Sequence, residues 1–360
     1  MDVAEAGEER VGVSRLRVGR STVVRALAIL ALLVVALFVI PATLGGDWVN
    51  TFTSVAIYSV VAAGLVVLYG RVGMISLGQI ALLAIGTWVA TRLSFATDLP
   101  FPLLILITGV ITCVIGVLIG LPALRLSGLY LALITLMAAG AVNVVLTSIQ
   151  FPNGGGGFSG RTDSPSLSGL APVTRPAGGS GDTAYYRYTV IVCGLMFLLA
   201  LVHFATKPGR AWTAIRESEP AALAGGVNIT LYKLWAFALA SFMTGVAGCL
   251  LAAQVGNPNT YGFPTQDSLT MIATALIGGI FTLWGAIVAG IFMQLVPFIF
   301  QAEWHINPNF LLIIFGVGLL QVLLTAPGGL ADQVPKDLAR LARLVSKPFR
   351  KRSAAEGRAK

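Results

Sequence analysis

The sequence predicts an all-α, polytopic membrane helix bundle of about ten transmembrane segments, with interrupted helices and both termini cytoplasmic. Three observations predict it. The composition is too apolar for a soluble domain, the apolar runs are long enough to cross a bilayer, and the basic residues collect on alternate connections.

Of the 360 residues, 56% are hydrophobic and 11% charged, and the mean hydropathy is +0.85. Soluble domains carry about a quarter charged residues. Apolar runs begin near Arg25, Phe52, Met74, Phe101, Gly128, Tyr185, Leu231, Gln266, Trp284 and Phe310. Each approaches the roughly 20 residues that a hydrocarbon core of about 30 Å requires. The first run follows Arg20 and Arg25, as a signal peptide would. It has no small-residue cleavage site before Pro41 and further spans follow, so it reads as a retained helix.

With ten alternating spans and an inside N-terminus, all of the 24 Lys and Arg residues except Arg92, Arg161, Arg175 and Arg187 fall on the cytoplasmic side. Residues 1–24 then form a basic cytoplasmic arm, 25–325 the membrane domain, and 326–360 a basic cytoplasmic tail. The net charge of +9 fits tails lying against anionic membrane lipid. It does not indicate nucleic acid, because no soluble domain is present to offer a basic face.

Catalytic and metal signatures are absent. Cys113, Cys193 and Cys249 lie inside predicted spans without metal-ligand spacing, and His203 and His305 stand alone. No Ser/His/Asp, HExxH or phosphate-loop pattern occurs. The expectation is a non-enzyme that needs no cofactor or metal and has no ATP site of its own.

Two connections are unusual. Residues 151–184 make an extracytoplasmic loop rich in Gly, Pro and Ser, with four glycines after Asn153. Residues 207–228, KPGRAWTAIRESEPAALAGGVN, form a polar island between apolar runs. A short helix is expected from Ala211 to Glu217. Pro220 suits the first turn of a second helix, which Gly225 and Gly226 end. Such a segment can dock a soluble partner; an amphipathic helix lying in the headgroups is the plainer alternative.

Several spans are punctuated by glycine. Gly70, Gly73 and Gly78 interrupt one region; Gly278, Gly279 and Gly285 interrupt another. Close helix packing is the ordinary reason for such glycines. Interrupted helices also line translocation paths, because freed backbone groups are tolerated at membrane depth only beside protein or water. Ser76, Gly78, Gln79, Asn143, Gly278 and Gly279 are the candidate path residues. Charged side chains are missing from the span interiors, Asp267 and Arg92 near span ends being the nearest exceptions. The energy for transport is therefore expected from outside the chain.

Four segments carry a resemblance: residues 76–93 (SLGQIALLAIGTWVATRL), 127–142 (SGLYLALITLMAAGAV), 209–252 (beginning GRAWTAIRESEP) and 276–290 (LIGGIFTLWGAIVAG). Together they resemble the permease subunits of branched-chain amino-acid ABC importers, in the LivM-type branch, over roughly residues 50–325. The resemblance implies an importer subunit in the bacterial inner membrane. Its implied partners are a second, LivH-like permease, two cytoplasmic ATP-binding subunits and an extracytoplasmic substrate-binding protein. It also implies that residues 207–228 dock the ATPase, with Gly209, Arg210, Ala214, Arg216, Glu217, Glu219 and Gly226 as coupling residues. The chain departs from the family pattern at Gln79, where His is frequent, at Asn153, at Pro220 and at Ala286. Branched-chain amino acids are the expected substrate. Urea or short amides, or a stand-alone channel or facilitator, are the alternatives.

Overall fold

A computed structural model describes residues 37–38, 40–43, 45–97, 99–123, 128–148, 173, 175–176, 181–256, 263–302, 309–325, 329–331 and 333. The chain divides into two units, Met1–Leu44 and Gly45–Lys360. In the first, the described residues include one helical turn, Ile40–Thr43. Apart from residues 37–38 and Ile40 the first expected span lies outside the described residues, as do most of 151–184 and of the C-terminal tail.

The second unit is built from helices, with no strand among its described residues. Helix α1 (Gly46–Leu65) continues as π-helical turns through Val66–Val72. It stops at Gly73, whose φ of 85° is a left-handed conformation open to glycine. The Gly73 N–H donates to the Tyr69 carbonyl at 3.1 Å and the Met74 N–H to the Leu68 carbonyl at 3.0 Å, a Schellman-type helix end. Residues 73–78 are irregular, and α2 begins at Gln79 and runs to Ala96. The span expected from Met74 therefore starts as non-helical chain.

Helices α3 (Phe101–Ala123), α4 (Leu129–Ser148) and α5 (Asp182–Ala205) follow. Two short helices, α6 (Lys207–Glu217) and α7 (Glu219–Ala224), lead to the 27-residue α8 (Ile229–Val255). Helix α9 (Gln266–Gly278) has only 13 residues, about 20 Å at 1.5 Å per residue, so it does not cross a 30 Å core alone. A turn at 279–282 leads to α10 (Leu283–Ala302), whose middle, Ile291–Leu295, is π-helical. Helix α11 (Asn309–Thr325) completes the described bundle.

Six helices among the described residues are long and apolar enough to cross a membrane: Gly46–Val72, Phe101–Pro122, Leu129–Ser148, Asp182–Ala205, Ile229–Val255 and Leu283–Ala302. The core lies around α8, 89% of whose most apolar stretch is buried. Small residues allow this: a β-carbon on Gly86 would stand 3.0 Å from Gly245 Cα, and one on Gly245 2.6 Å from Thr112 Cβ. The Thr87 hydroxyl donates to the Leu83 carbonyl at 2.8 Å and lies 3.2 Å from the Gly248 carbonyl, joining α2 to α8. By contrast α3 exposes Leu103, Leu106, Val110, Val114, Leu118 and Leu121. Their spacing of three and four makes one apolar stripe, as expected of a face turned to lipid.

Candidate docking segment and membrane-embedded polar cluster

Helix α6 is amphipathic, so its inner face is fixed by burial. Gly209, Ala211, Trp212 and Ile215 are buried, whereas Lys207, Arg210, Thr213, Arg216 and Glu217 are exposed and Ala214 is intermediate. Gly209 is pressed against the Phe204 backbone at the end of α5, leaving no room for a β-carbon. Trp212 is fully buried, and its Nε1–H donates to the Tyr232 carbonyl in the first turn of α8 at 2.8 Å. The segment starts four residues earlier than the sequence suggested, with Pro208 in its first turn.

Helix α7 opens where Pro220 and Ser218 direct it: Ser218 is the N-cap, its hydroxyl accepting from the Ala221 N–H at 3.4 Å. It closes at Gly226, whose φ is 79°; the Val227 N–H donates to the Ala222 carbonyl at 3.0 Å. Beside it is an open hollow of about 600 Å³ lined by Glu219, Leu223, Val227, Asn228, Thr230 and Lys233 among others. Leu223 is 63% exposed at its rim.

Arg216 and Glu219, expected to offer charge to a partner, are both engaged within the chain. The Arg216 Nη1–H donates to the Gly70 carbonyl at 2.7 Å, and its guanidinium lies 4.5 Å from the centroid of the Phe281 ring. Glu219 Oε1 is 2.7 Å from Lys233 Nζ; the Lys side chain is 8% exposed and the Glu side chain 48%. The buried ammonium therefore depends on the carboxylate more than the reverse.

The second group surrounds the helix break. Gln79 is 2% exposed and Ser76 2% exposed. Gln79 Oε1 accepts from the Thr244 hydroxyl of α8 at 2.7 Å, while its Nε2 is buried without a hydrogen-bond partner. The Gly78 N–H donates to Ser76 Oγ at 3.4 Å and the Leu77 N–H to Thr135 Oγ1 of α4 at 2.9 Å. Side chains thus satisfy backbone donors that the break releases.

Asn143 is half-buried and donates through Nδ2 to the Phe263 carbonyl at 2.8 Å. It lines a small cavity with Ile80, Ala84, Val142, Leu146 and Ser268. At about 10 Å³ this has room for about one water. Gly278 and Gly279 stand elsewhere: they end α9, with φ of 110° at Gly279, and pack against Gly285 and Gly329. Through Ile280 and Phe281 they join the Gly70–Arg216 group, not the Gln79 group.

Sequence reasoning missed Trp212, Lys233, Thr135, Thr244 and Phe281. Trp212 had a signal, as an aromatic among small and apolar residues at helical spacing. Thr135 and Thr244 had none, because a hydroxyl bonded to the preceding helical turn is ordinary. Among the described residues, no three His, Cys, Asp or Glu side chains gather as metal ligands.

These features define a multi-pass helical membrane protein with a short helical pair held against one end of its bundle. The chain belongs to the family described as branched-chain amino acid transport system / permease component, which it matches over residues 47–323. It is 29% identical over 261 residues to the high-affinity branched-chain amino acid transport system permease protein LivM of Salmonella typhimurium, covering 68% of this chain and 61% of that protein. The same identity and coverage hold for LivM of Escherichia coli K12. The chain thus spans about 61% of the length of these relatives. No solved structure matches it.

Proposed function

We propose that this chain is the permease subunit of an ATP-binding-cassette importer that moves branched-chain amino acids across the bacterial inner membrane by alternating access. Two separate ATP-binding subunits drive it, a second LivH-like permease pairs with it, and an extracytoplasmic binding protein delivers substrate. Ten segments, with the 13-residue α9 crossing only as an interrupted helix together with the non-helical residues beside it, and both termini cytoplasmic complete the reading, with residues 25–325 as the membrane domain.

The observation that carries it is the α6–α7 segment. Its inner face is anchored through Gly209 and Trp212, while Arg210, Glu217 and the hollow beside Leu223 remain open. A membrane facilitator has no use for such an outward surface; an ATPase cleft does. Substrate passes beside Ser76, Gly78, Gln79 and Asn143, where the broken helix supplies polar groups at membrane depth.

The test is uptake of labelled leucine, urea and ribose in a deletion strain before and after a tagged copy of the chain is restored, with co-purification of the ATP-binding subunits on that copy. Leucine uptake with ATPase capture is the expected result. Uptake without any captured ATPase identifies a facilitator, and uptake of urea alone replaces the substrate. Within the path, Gln79→Leu is expected to depress uptake about tenfold without loss of folded protein, since it removes a buried amide that is only half satisfied. Normal uptake by that variant would make Gln79 a packing residue.

A further inference from the structure

In the last turn of α6, Ile215 is buried in the bundle, and Arg216, exposed over much of its surface, reaches back to the bundle with its guanidinium. Helix α1 ends with Leu68 and Tyr69 carbonyls accepting from Met74 and Gly73. The next carbonyl, Gly70, is one of the groups that a helix C-terminus leaves without a backbone donor. Arg216 supplies the donor at 2.7 Å, at the helix end where the dipole favours a cation.

The same knot holds the other helix break. Ile280 places its carbonyl where a β-carbon on Gly70 would stand, so the 279–282 turn touches the end of α1 directly. Arg216 stacks on Phe281 of that turn, and its Cγ lies 3.4 Å from the β-carbon position of Gly73. One side chain of the docking segment therefore grips both interrupted regions, while Trp212 ties the segment to α8.

We propose that Arg216 is a positioning residue that transmits movement of the docking segment to the two helix breaks, and does not itself contact the ATPase. The proposal rests on the importer reading above. Displacement of α6 pulls on the Gly70 carbonyl, and the irregular 73–78 stretch carries that shift to Gln79 and its bond with Thr244. A guanidinium suits the task because hydrogen bond and ring stacking act at once from one flat group.

The experiment uses the full complex of both permeases, ATP-binding subunits and binding protein in liposomes, reading labelled leucine moved per ATP hydrolysed. Arg216→Ala should retain co-purified ATPase and hydrolysis within about twofold, while leucine per ATP falls about tenfold. Arg216→Lys, which keeps one donor but loses the stacking plane, should give an intermediate ratio. An unchanged ratio in Arg216→Ala overturns the proposal, and so does loss of ATPase capture, which would make Arg216 a docking contact. If the Ala variant does not insert, Phe281→Leu provides the reading. A fall of about threefold supports the grip and no change overturns it. A wild-type complex that captures ATPase but moves no leucine defeats the substrate assignment, and one that captures no ATPase defeats the importer reading; both are visible before any variant is made.

Discussion

Two arginines clasp helix ends, one at the end of α8 and one at the end of α1, and they differ in what they hold. Arg175 sits at the C-terminal end of α8, where Nε and Nη2 donate to the Ala253 and Gln254 carbonyls at 3.2 and 3.3 Å. Its Nη1 pairs with Asp182 at 2.8 Å, and its guanidinium lies 4.9 Å from the Tyr185 ring centroid. Arg216 also caps a carbonyl and covers a ring, but at the end of α1 beside two broken helices. Arg175 joins continuous helices through a full set of partners and reads as a fixed staple. Arg216 joins a surface segment to irregular chain, where a shift costs less. The same chemistry thus gives rigidity at one end and transmission at the other.

The largest effect is expected from breaking what connects the two ends. Gly245→Leu would force a side chain into Thr112 and α8 away from α2 and α3, costing about 3 kcal/mol. It should leave little folded protein after detergent extraction; a wild-type melting curve would show that the α8 core is loosely packed. Buried Cys193 and Cys249 report this, since a thiol-reactive dye labels them as the bundle opens.

Arg175→Ala sharpens the contrast with Arg216→Ala. Losing charged hydrogen bonds to two carbonyls should cost about 2 kcal/mol and lower the melting temperature, with leucine moved per ATP unchanged. A changed transport ratio at normal stability would erase the distinction between the two clasps.

The smallest effect concerns the docking segment's other ion pair. Glu219→Gln leaves the buried Lys233 ammonium with an amide acceptor but no counter-charge, an expected loss of about 1 to 2 kcal/mol. Lys233→Met leaves a half-exposed carboxylate in water, an expected loss below about 1 kcal/mol. Thermal unfolding of the two variants checks the order, and the reverse order would place the pair in ordinary solvent.

Much of this was legible in advance. Glycine and proline chemistry marked the regions around Gly70–Gly78 and Gly278–Gly285 as interrupted and foresaw the division between α6 and α7, because a left-handed turn or a missing N–H acts locally; it did not choose Gly73 or Gly279 as the left-handed residue. Helix start points were less exact: α2 begins at Gln79, since side chains of other helices stabilise irregular chain before it. The direction of Arg216 and Glu219 was not legible, because their partners lie 146 and 14 residues away in sequence.

The sequence by itself determined an all-helical membrane chain, its punctuation and its family likeness, for these follow from hydropathy and local backbone chemistry. It did not determine which apolar helix is core. Helices α5 and α8 are both apolar enough to cross a bilayer, yet 22% of the most apolar stretch of one and 89% of that of the other are buried within the protein. Lipid tails are as apolar as a protein interior, so hydropathy cannot separate the two surroundings. Only packing decided it, through the small residues that let α2 and α3 close on α8 and through the side chains that tie the docking segment to the broken end of α1.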